Sequence, residues 1–139
     1  MEKIDKIKEK ASNLAKKYGL DLLVLFGSQT DGRIHKRSDV DIAYFPQQRK
    51  FDLDDQSKLA IDLMSVFGRG DIDMVDLRSA PPLLMRKIAD NCIVLHEREK
   101  SIFNNFYIRA IRAYFDNKIL FGVRSEYVSA KIKEYQNAR

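Results

Sequence analysis

The side chains best suited to chemistry are three aspartates: Asp39, Asp41 and Asp73. Asp39 and Asp41 stand two apart in SDVDIAYF, residues 38–45, and alternate with Val40 and Ile42. Period-two alternation predicts a strand, so both carboxylates project from one face. Two carboxylates held together repel unless one is protonated or a cation bridges them. Hard oxygen ligands suit magnesium, which keeps waters and takes substrate phosphates as further ligands. Taken alone, an Asp-x-Asp pair more often marks a solvated strand edge. Aspartate is poorly suited to strands, which shifts weight toward a chemical reason.

Asp73 lies in a second alternating segment, DIDMVDL, residues 71–77. Ile72 and Met74, with Val75, are expected at the core, and Asp71 and Asp73 opposite. If the two strands are neighbours, three carboxylates converge. Two metal ions about 3.5–4 Å apart can then act on one phosphoryl centre. One would hold a triphosphate. The other would lower the pKa of an attacking hydroxyl, with Asp73 a metal ligand and candidate general base. Asp76, three residues beyond Asp73, should face the other way.

Gly27 and Ser28 follow an apolar run, LLVLF, residues 22–26. Glycine lets the backbone approach an anion, and N–H groups of such a turn can point at phosphate oxygens. A Gly-Ser pair after a strand is usually only a turn, so this signal counts through its distance from the aspartates.

Several elements must hold these groups. Ile4, Ile7, Ala11, Leu14 and Ala15 predict a first helix that ends at Gly19. The LLVLF run predicts a strand buried on both faces. Residues 53–67 predict a helix with Asp52 as its N-cap. Pro81 and Pro82 open another, running to about Asp90, and residues 93–95 a short strand. From Glu99 the chain should be helical to about Lys118, broken at Gly122, with a last helix over residues 125–136. Strands alternating with helices indicate an α/β (α+β) fold with a mixed sheet. The expected division is a core over residues 1–97 and a helical extension, packed on it, over residues 98–139.

With 139 residues, 45% of them hydrophobic, the chain can bury one core. The net charge of +5 suits an anionic partner such as a nucleoside triphosphate. The basic residues near the N-terminus are interspersed with acids and read as a solvated helix face. A single cysteine, Cys92, excludes an intrachain disulfide and fits a reducing cytoplasm. It reads as a small buried hydrophobe. No segment has the length of a signal peptide core or a membrane span.

Gly27-Ser28, ten further residues, then Asp39-Val40-Asp41 resembles the signature of the DNA polymerase β-like nucleotidyltransferases. The LLVLF strand, Gly32, Ser38 and the IDMVDL strand all fit it. The short length and the APPLL segment, residues 80–84, resemble the minimal nucleotidyltransferase branch, over roughly residues 10–97. One departure is Asn91, where relatives often carry glycine. The resemblance implies that Gly27 and Ser28 bind the triphosphate of ATP and that Asp39, Asp41 and Asp73 ligate Mg2+, with two ions expected. It also implies a HEPN-domain toxin as partner, silenced by transfer of AMP to one of its tyrosines. Neutralisation by binding alone is a second expectation. Transfer to RNA or to a small-molecule hydroxyl is a third.

Arg33, Lys36 and Arg37 are candidate phosphate contacts by charge. His35 reads as an exposed loop histidine, and His96 has no metal-ligand spacing. Phe103, Phe106, Tyr107 and Tyr114 have helical spacing and read as core, with partner docking the other reading.

Overall fold

The computed structural model describes residues 2–27, 39–48 and 50–137. Ser28, Gly32, Arg33, His35, Lys36, Arg37 and Ser38 lie outside the described residues.

The described elements are α1 (Glu2–Lys17), β1 (Leu20–Phe26), β2 (Val40–Pro46), α2 (Leu53–Phe67), β3 (Ile72–Asp76), α3 (Pro82–Asp90), β4 (Cys92–Glu97) and α4 (Ile102–Asn137). The strands form one sheet in the order β3-β2-β1-β4. β1 runs antiparallel to both β2 and β4, and β2 runs parallel to β3. The sheet is therefore mixed and the fold α+β, as its alternating elements predict.

Both faces of the sheet are covered, which explains the unbroken apolar run in β1. Leu23, Leu25, Ile42 and Tyr44 join Ala11 and Ala15 of α1 and Leu59 and Leu63 of α2 in one core. Leu22, Val24 and Ala43 face the other way, onto Met85 and Ile88 of α3 and Phe106 and Ala110 of α4. Val75 also packs on this second side, whereas Ile72 and Met74 pack on the first.

Local signals set the helix ends. α1 stops where Gly19 turns left-handed at φ 65°. α2 opens with a reciprocal cap: the Asp55 N–H donates to the Asp52 side chain, and the Asp52 N–H donates to the Asp55 side chain.

The C-terminal region departs from expectation. α4 is one helix of 36 residues that passes through Gly122 without a break. A glycine inside a helix costs about 1 kcal/mol. Here it stands in a long helix with neither a proline nor a helix-capping pattern beside it, so nothing offers the chain an alternative. Phe106 is buried, Phe103, Ala113 and Tyr114 are half-buried, and every described residue from Phe115 on is exposed. Among the described residues, no helix is long and apolar enough to cross a membrane.

Candidate nucleotidyl-transfer site

The sheet brings two of the three aspartates side by side. Asp41 of β2 and Asp73 of β3 are register partners on neighbouring parallel strands. Partners in register project from the same face, and adjacent strands lie about 4.8 Å apart. By strand parity this is the face that carries Ala43 and Val75, the side of the sheet covered by α3 and α4. Asp39 precedes β2 on the same parity.

Asp76 is in register with Tyr44 and turns the other way, taking an ion pair from Arg78 at 2.6 Å. The parity argument that separated it from Asp73 is met.

Gly27 closes the site from the β1 side. Phe26 is the register partner of Asp41, and Gly27 follows at φ +80°. A Cβ at this position would overlap Oδ2 of Asp41 and stand 3.2 Å from its Cγ. Glycine is therefore required twice, by the left-handed backbone and by the approach of a carboxylate.

The electrostatics show crowding of like charge. The Asp41 carboxyl is pushed above 3.8, first by burial, then by the charges of Asp73 and Asp39. Burial and like charge thus disfavour its ionised form, a penalty that a bound cation would offset. Among the described residues, no three His, Cys, Asp or Glu side chains close around one point as a preformed metal cage. The donors still fit magnesium, which commonly uses one or two carboxylates and completes its shell with phosphate and water.

Two residues that sequence reasoning did not single out stand near this site. Arg69, at the turn between α2 and β3, grips Asp71 through Nε at 2.8 Å and Nη2 at 2.5 Å. The charge of Asp39 also acts on its guanidinium. Lys87 of α3, with Phe26, Gly27, Leu84, Asp90 and Asn91, lines an open cavity of about 440 Å³. This cavity adjoins the carboxylates through Gly27. A smaller hollow of about 210 Å³, lined by Asp21, Phe45, Phe106 and Arg109 among others, lies at the opposite end of the sheet.

The remaining candidates are structural. Cys92 packs on the α3–α4 side of the core, and burial pushes its thiol up to about 11. A reactive thiol needs the opposite shift. His96 pairs through Nδ1 with the Ser12 hydroxyl at 3.0 Å.

A family model described as polymerase beta, nucleotidyltransferase, matches residues 6–101. The chain belongs to that family. None of the curated proteins matches its sequence. Solved structures do. One is a toxin–antitoxin complex with AMP-PNP, at 28% identity and TM-score 0.69, with 90% of this chain and 98% of that chain covered. Another is the MntA–HpeT toxin–antitoxin mutant D39ED41E, at 26% identity and TM-score 0.70, with 90% and 98% covered. A third is a tri-AMPylated Shewanella oneidensis HEPN toxin in complex with MNT antitoxin, at 25% identity and TM-score 0.65, with 91% and 96% covered. The family match ends at residue 101, one residue before α4 begins.

Proposed function

We propose that this chain is the antitoxin of a HEPN toxin pair, acting in the cytoplasm as a protein adenylyltransferase. It would transfer AMP from ATP to a tyrosine hydroxyl of the toxin and so neutralise it. The observation that carries the reading is the pairing of Asp41 with Asp73 beside Gly27. The relatives support the choice of donor and acceptor: one complex holds AMP-PNP and another holds an AMPylated toxin.

Asp39, Asp41 and Asp73 would hold magnesium against the triphosphate, while the backbone at Gly27 and the hydroxyl of Ser28 would bind the phosphates. Magnesium bound there would neutralise the triphosphate and lower the pKa of the acceptor hydroxyl. The tyrosine oxygen attacks the α-phosphorus, forming the new P–O bond. The bond to the bridging oxygen breaks, and pyrophosphate leaves. Asp73 takes the tyrosine proton. Most of the acceleration comes from positioning and charge neutralisation.

The test is mass spectrometry of the HEPN-domain protein encoded beside this chain after incubation with ATP and magnesium. AMP adducts should appear on tyrosine. They should vanish with a chelator and fall by at least about 1,000-fold for Asp39→Asn/Asp41→Asn. Full labelling by that double variant would sink the assignment.

A second reading is neutralisation by contact alone, which the exposed outer half of α4 favours. It predicts that the double variant still protects cells from the toxin.

A further inference from the structure

We infer that the cavity beside Gly27 receives the base of the nucleoside triphosphate, and that Asn91 selects adenine there. The inference rests on the proposed nucleotidyl transfer, and adds which residues read the donor's base.

The sheet fixes where this cavity stands. Phe26 of β1 is the register partner of Asp41 on one side and of Cys92 on the other. One step further along the antiparallel pairing of β1 and β4, Asn91 comes beside Gly27. The Asp41 carboxylate crowds Gly27 from the opposite side, where a Cβ would overlap its Oδ2. Adjacent strands lie about 4.8 Å apart, so Asn91 stands about 10 Å, two strand spacings, from the strand of Asp41. A nucleotide with its α-phosphate at Asp41 spans such a distance with its ribose and base.

The strand order also separates the two substrates. Asp73, the proposed acceptor of the tyrosine proton, lies on β3 at one edge of the sheet. The cavity lies beyond β1, on the other side of Asp41. An acceptor that approaches Asp73 therefore leaves the cavity to the nucleotide.

Among the parts of the nucleotide, the walls favour the base. The volume of about 440 Å³ is that of a small-molecule site. Phe26 and Leu84 give it apolar walls, and an aromatic ring suits the face of a purine. Asp90 stands in the same wall, where Arg86 pairs with it at 3.2 Å. Even so, a carboxylate opposes a pyrophosphate group at that place. The phosphates thus belong at the Gly27 backbone and the base beyond it.

Asn91 can tell one purine from another. Its backbone is extended, at φ −148° and ψ 90°, so the conformation leaves the choice of side chain open. Among the described residues its carboxamide has no hydrogen-bond partner. A carboxamide offers an acceptor and a donor side by side. These match the N6 amino group and N7 of adenine. Guanine shows two acceptors on that edge, O6 and N7, so one contact would be repulsive.

The experiment uses the full chain with magnesium, and reads binding by calorimetry. The probes are AMP-PNP, GMP-PNP and inorganic tripolyphosphate. The parent should bind AMP-PNP at least about 10-fold more tightly than GMP-PNP. Asn91→Ala should weaken AMP-PNP by about 10-fold and leave GMP-PNP and tripolyphosphate unchanged, so that the preference disappears. Asn91→Leu, close in size but with neither donor nor acceptor, should do the same. A parent that binds both analogues equally overturns the inference. So does a preference for GMP-PNP, which would make Lys87, also in the cavity wall, the reader of the base. A preference for AMP-PNP that survives both substitutions overturns it too. Equal loss of tripolyphosphate binding in the variants would make Asn91 a phosphate or folding residue, and overturns it as well. An adenine preference that both substitutions erase, in a chain that labels no partner, upholds the base pocket and removes the proposed AMP transfer instead.

Discussion

Asp41 shows the conflict that this site builds in. Its strand position places it next to Asp73, its half-buried setting weakens its hydration, and Gly27 removes the side chain that would push it away. Its folded pKa is therefore raised above 3.8, mainly by burial and then by Asp73 and Asp39. A carboxyl with a raised folded pKa contributes its full stability below the unfolded value. That contribution is lost as pH rises through the folded value. At neutral pH the ionised group opposes folding. In chelator, Asp41→Asn should thus raise the melting temperature at neutral pH and change it little in acid, while abolishing the proposed transfer. Magnesium should raise the melting temperature of the parent and not that of the variant. Calorimetric melts with and without the ion check both effects, and a less stable Asp41→Asn protein at neutral pH would contradict the account.

At the scale of elements, α2 carries a pH dependence of the opposite sign. The Asp55 N–H holds the Asp52 carboxyl below its ordinary value, so the cap stabilises above 3.8 and weakens as pH falls through the folded pKa. Asn caps nearly as well without ionising. Asp52→Asn should therefore flatten part of the acid loss of stability, seen as urea midpoints of variant and parent converging as the buffer is acidified. Midpoints that stay a constant distance apart would show that the cap does not titrate.

The elements themselves were legible in the sequence to differing degrees. Alternation around Asp39–Asp41 and Asp71–Asp76 was enough to find β2 and β3, because each face of those strands meets a different environment. β1 and β4 begin earlier or end later than their apolar runs. His96 and Glu97 are held in the sheet by pairing, with Leu23 opposite His96 and Leu22 opposite Glu97, while Asp21 sits at an irregularity of β1 where its carbonyl accepts from the Arg98 N–H. Pairing depends on a distant segment and leaves no mark on local hydropathy. The same reason hid Arg69 and Lys87, which approach the site from α2's end and from α3 through topology. Gly122 misled because a glycine's local cost is small against the many hydrogen bonds of a long helix.

The whole molecule divides stability unevenly. The sheet is packed on both faces, whereas α4 leaves it after about four turns. Beyond that point the helix has only its own hydrogen bonds and pairs such as Lys131–Glu134 at 3.5 Å. Exposed pairs of this sort contribute little. A helical segment without tertiary contacts is marginal in water and opens locally without unfolding the core. In the free chain, amides of residues 120–137 should exchange with deuterium orders of magnitude faster than those of residues 103–113. Uniform slow exchange along α4 in the free chain would contradict this account and show that the outer half is held as firmly as the part packed on the sheet.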